Sequence, residues 1–88
     1  MSIFKKERLA LSLENPINQR AAIKASLDHK TPLINQGNGL FFVNLKYAKD
    51  LDGFLHQFIS NSVNCRQGLI DRDDPKCDYI LIYDVKEN

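Results

Sequence analysis

Residues 37–47 read GNGLFFVNLKY, and no other stretch of this 88-residue chain restricts its fold as strongly. Two glycines and two asparagines fall within residues 35–39. Both residue types tolerate positive φ, so a turn is expected there. A short strand near 32–35 would turn back into a longer one at 40–47, as a hairpin. The longer strand is apolar on both alternating sets at its start: Phe41, Val43, Leu45 and Tyr47 on one, Leu40 and Phe42 on the other. Such a strand needs a packed layer on one side and something further on the other.

Signals for the remaining elements are local. RLALSLE alternates Leu9, Leu11 and Leu13 with Ala10 and Ser12, a period of two that reads as a strand. A helix over residues 2–13 is the rival, because Leu and Ala favour helices. Asn15 is a good helix N-cap, and Pro16 follows at the first helical position, where a missing N–H costs nothing. Ile23 and Leu27 are one turn apart on the same helix face, and Pro32 stops that helix. A second helix is expected in YAKDLDGFLHQFISNSVN, where Leu51, Phe54, Leu55, Phe58, Ile59 and Val63 follow helical spacing. Asp50 and Asp52 suit its early turns. After a polar loop, DYILIYDV reads as the last strand.

The order strand, helix, strand, strand, helix, strand is the ferredoxin-like βαββαβ arrangement. It predicts a two-layer α+β domain over residues 1–88, with two helices on one face of a four-stranded antiparallel sheet. If residues 2–13 are helical, the sheet has three strands. In the two-layer fold Phe41, Val43, Leu45 and Tyr47 face the helices, together with Tyr79, Leu81, Tyr83 and Val85. Leu40, Phe42, Ile80 and Ile82 then form an apolar patch on the open face, rimmed by Asn44, Lys46, Asp78 and Asp84. An apolar centre with a polar rim marks an interface. The expected partner is another protein or a second copy, forming a homodimer. The N-terminal segment, through Ile3 and Phe4, is the competing cover for the same patch.

Composition removes several function classes. No run approaches the roughly 18 apolar residues that span a bilayer, so no membrane role is expected. MSIFKKERLALSLENP is interrupted by Ser12 and followed by Glu14, a poor signal peptide, and a cytoplasmic protein is the expectation. Residues 1–30 hold six Lys/Arg against three Asp/Glu, and residues 61–88 hold four against six. That is a mild charge gradient within a net charge of +1. It is not the footprint of a strong nucleic-acid binder.

NGLFFVNL, residues 38–45, resembles the third-strand signature of RNA recognition motifs, with Gly39, Phe42 and Val43 matching. Leu40 and Leu45 stand where that family places aromatics, and Asn38 where it places a basic residue. The resemblance implies single-stranded RNA or DNA binding through the Leu40/Phe42 strand as an alternative function.

No catalytic residue, metal ligand set or cofactor motif is assigned. GNG is too short to cradle phosphate and precedes a strand. Asp71, Asp73, Asp74 and Asp78 cluster, but without the glycine and distal Glu of a calcium loop. His29 and His56 lack an evident nucleophile, unless Cys65 meets His56 in space. Cys65 and Cys77 bracket a loop that a disulfide would close; reduced thiols are the alternative. The expectation is a small binding or regulatory domain rather than an enzyme, with an immunity- or antitoxin-like role as one option that nothing in the sequence selects.

Overall fold

The computed structural model describes residues 8–70 and 79–85. Strand β1 (Arg8–Ser12) leads to helix α1 (Pro16–Asp28), followed by the hairpin β2 (Leu33–Gly37) and β3 (Leu40–Asn44). Helix α2 (Leu51–Asn61) precedes a second hairpin, β4 (Cys65–Ile70) and β5 (Tyr79–Asp84). The strand reading of RLALS therefore holds over its helical rival. The fold is α+β, with both helices contributing to one core against one face of a sheet.

That sheet corrects the four-stranded antiparallel expectation. It has five strands in the order β2-β3-β1-β5-β4, and β5 runs parallel to β1. The other pairings are antiparallel. The added strand is β4, which the sequence presented as a polar loop. Arg66 and Gln67 are exposed, while Cys65 packs against the core, and the strand is held by its ladder with β5.

The helix starts follow their capping chemistry. The Asn15 side chain accepts the Ile17 N–H at 2.9 Å, and Pro16 opens α1. The Asp50 carboxylate accepts the Gly53 N–H at 3.1 Å at the start of α2. Between β2 and β3, Asn38 and Gly39 have φ of 56° and 80°, the two-residue turn whose twist matches that of the strands. β3 is shorter than expected. The Asn44 side chain accepts the Lys46 N–H at 3.0 Å and starts a 3-10 turn over Leu45–Tyr47. Leu45 still packs on the core, but Tyr47 is exposed.

Leu9, Leu11 and Leu13 meet Phe41, Val43 and Ile82 from the sheet, and Ala22, Ala25, Phe54 and Phe58 from the helices. The Phe54 and Phe58 rings stack with centroids 6.2 Å apart. On α1 the buried residues are Asn18, Ala22 and Ala25. The two phenylalanines supply volume, and alanines let α1 approach closely. Ile23 and Leu27 consequently face outward.

Candidate functional site

The expected surface needs one correction of parity. Leu11 pairs with Phe41 on one side and Ile82 on the other, and paired residues share a face. Phe41, Leu11 and Ile82 therefore all point at the helices, and Ile82 is buried with 3% exposure. Ile82 leaves the candidate surface. The ladder pairs Ile80 with Leu9, and the Ile80 side chain lies outside the described residues. Leu81 and Tyr83 take the open side. They share it with Leu40 and Phe42, across Ala10 and Ser12 of β1. Leu40, Phe42, Leu81 and Tyr83 are each half-buried, whereas Ala10 between them is fully covered. A β-carbon on Gly68 would stand 3.3 Å from the Tyr83 ring, so that ring lies across the glycine of the neighbouring strand.

Both alternating sets of β5 are apolar, so apolar content alone did not decide this parity. A polar residue did. Asp84 sits on the same face as Ile82, and its carboxylate accepts the Asn15 backbone N–H and the Asn18 side-chain amide. A carboxylate at the first turn of α1 complements the helix dipole. Asn18 is itself fully buried and also exchanges two 2.7 Å hydrogen bonds with the Val63 backbone. This joins α1, β5 and the segment after α2. The expected role of Asp84 as open-face rim is thereby replaced by a structural one. Asp78 lies outside the described residues.

Cys65 is a free thiol 3.8 Å from an Asp84 oxygen. Burial first, and then the neighbouring carboxylate, push its pKa up. A thiol held protonated is a poor nucleophile. His29 is engaged elsewhere, with Asp50 and Gln57, and His56 is exposed on α2. Cys77 and the aspartates 71, 73 and 74 lie outside the described residues. Among the described residues no group of three or more His, Cys, Asp or Glu is placed to hold a metal, and no helix is long and apolar enough to cross a membrane.

A second apolar surface was not anticipated as a site. Leu27 is 73% exposed and Ile23 45%. Beneath them runs a groove of about 520 Å³, floored by Pro32, Leu33 and Phe41 and flanked by Lys30. The groove follows β2, which stands at the sheet edge with β3 as its strand neighbour. Natural edge strands are protected by charge, proline or bulges; Leu33–Gly37 carries no charge or proline, although Pro32 precedes it and its register shifts between Asn35 and Gly37. β4, at the opposite edge, presents Arg66. The signal was present in the sequence: alanine at 22 and 25 offers a closer-packing face than Ile23 and Leu27.

No protein-family description, curated protein or solved structure matches this chain.

Proposed function

We propose that the chain is a small non-enzymatic binding domain whose partner is another protein or a second copy of itself. The partner lays an extended segment along β2 and sets apolar side chains into the groove below α1. One observation carries the reading: α1 turns its alanines inward and its large aliphatics outward, beside a sheet edge without protective charge. An edge strand offers main-chain hydrogen bonds, and an adjoining groove selects side chains. Covering the exposed Leu27 would contribute about 1.5–2 kcal/mol, and the already half-covered Ile23 and Leu33 less, before ordering costs. The free Cys65 thiol fits a reducing, cytoplasmic setting for this role.

Affinity capture from extracts of the native host tests the proposal, with wild type, Leu27→Glu and Leu81→Glu compared side by side. Capture retained by Leu81→Glu and lost by Leu27→Glu is the expected result. The reverse pattern would move the docking surface to the open sheet face.

That open face supports a second reading from another class. Phe42 and Tyr83 share it across β1, and the exposed Arg66 is paired with Tyr83 in the ladder. Two aromatics and a cation suit stacked bases better than Phe42 alone. Salt-dependent binding of single-stranded oligonucleotides, lost in Tyr83→Ala, would favour this reading over protein docking.

A further inference from the structure

Four polar side chains form a line across the end of the helix pair. The Gln57 amide nitrogen donates to Asp28 Oδ2 at 2.8 Å. The Gln57 amide oxygen lies 2.8 Å from His29 Nε2, and His29 Nδ1 lies 2.9 Å from Asp50 Oδ2. An ionised carboxylate only accepts hydrogen bonds. Asp28 therefore orients the Gln57 amide with its nitrogen toward itself and its oxygen toward the ring. Nε2 then faces an acceptor, and so does Nδ1. Both ring nitrogens must carry hydrogen for every link to be a bond, so this geometry accommodates the imidazolium. In a neutral ring one nitrogen would face an oxygen lone pair to lone pair. Turning Gln57 over would only move the conflict to Asp28.

The surroundings favour the charged ring. Asp50 and Gln57 face it from α2, and Asp28 precedes it on α1. Lys24 pairs with Asp28 at 3.5 Å. The His29 side chain is 25% exposed. Its contact with Asp50 foremost raises its pKa; burial opposes this next, and Gln57 and the charges of Asp50 and Asp28 add to the rise. Asp28 and Asp50 are lowered, Asp28 first by Gln57 and Asp50 first by the ring itself. The close approach also accounts for a glycine inside α2. A β-carbon on Gly53 would stand 2.4 Å from the Asp50 carboxylate and 2.7 Å from His29 Nδ1.

We propose that Asp28, Gln57, His29 and Asp50 form a proton-operated latch between the C-terminal end of α1 and the stretch of α2 from its N-cap to its middle. It is closed while the ring carries two hydrogens and released when one is lost. A raised histidine pKa contributes stability that is complete below the unfolded-state value and is lost as pH rises through the folded-state value. The two lowered carboxylates contribute above their unfolded values and lose that contribution as pH falls through their folded values. The latch is therefore strongest between the carboxylate and imidazole titrations. On its alkaline side it opens as pH rises through the ring's own, raised titration.

The test uses a His56→Gln background, so that one imidazole remains. The His29 ring is titrated by NMR, and urea unfolding is followed from pH 5 to 9. The unfolding midpoint should fall as pH rises through the ring's own titration midpoint. The folding constant should drop tenfold for each unit by which that midpoint exceeds the unfolded one. Asp50→Asn, which still caps α2, should lower the ring's midpoint and shrink the drop. Asp28→Asn frees the Gln57 amide to turn and donate to a neutral ring, and should shrink it too. An undiminished drop in His29→Gln would overturn the latch. So would a ring midpoint no higher in the folded than in the unfolded chain. If His29→Gln does not fold, the two Asn variants decide, and unchanged slopes in both would count against the proposal.

Discussion

Gly37 and Gly39 both hold positive φ, at 89° and 80°, yet their surroundings differ. A β-carbon at Gly37 meets nothing within 4 Å, while one at Gly39 would stand 2.3 Å from the Leu13 carbonyl oxygen. The Leu13 N–H also donates to the Gly39 carbonyl at 2.8 Å, so the hairpin turn rests on the end of β1. Gly37→Ala should cost about 1–2 kcal/mol for the left-handed backbone alone. Gly39→Ala adds a clash with fixed backbone and should cost at least about 3 kcal/mol. Urea unfolding of the two variants checks the difference, and equal losses would mean that the turn does not bear on β1. At this scale the sequence was readable. Asn15, Pro16, Asp50 and the Asn38-Gly39 turn act through atoms a few residues away, and each adopts the role its chemistry suggests. Lys30 illustrates what is not readable. It occupies positive φ at the end of α1 without being glycine, and the Thr31 N–H reaches back to the Ser26 carbonyl at 2.9 Å, closing the helix as glycine commonly does.

At the scale of elements, what the sequence concealed was which face each element turns inward. On β5 two apolar sets compete, and the inward hydrogen bonds of Asp84, in register with the Leu11–Ile82 pairing, decide between them. On α1 the larger aliphatics were outcompeted by alanines, because closeness to Phe54 and Phe58 fills the core better than bulk on both partners. β4 was hidden because Arg66, Gln67 and Gly68 interrupt its apolar residues, and its neighbour supplies the pairing. These assignments predict a clear asymmetry between adjacent residues. Ile82→Ala removes a fully packed side chain and should destabilise by about 2–5 kcal/mol. Leu81→Ala, on the open side, should cost about 1 kcal/mol. Equilibrium unfolding of both variants measures this directly, and the opposite ranking would restore the parity expected from the sequence.

At the scale of the molecule, the helices and the open sheet face are distinct surfaces, and the docking groove lies where they meet at the β2 edge. The candidate site was only half legible: Leu40 and Phe42 stand on the open face as read, Ile82 does not, and the groove follows from a helix orientation that Ala22 and Ala25 signal but only packing against Phe54 and Phe58 fixes. The latch acts at the other flank of α1, against α2. The α1–β2 connector that begins at His29 continues through Lys30 and Pro32 into the wall of the groove, so both features share one short segment. The most direct test of the central claim is methyl cross-saturation in the complex with the captured partner, or in a concentrated self-associated sample. The methyl groups of Ile23, Leu27 and Leu33 should lose intensity while those of Leu81 keep theirs. Loss at Leu40 and Leu81, with Ile23 and Leu27 unaffected, would contradict docking in the groove.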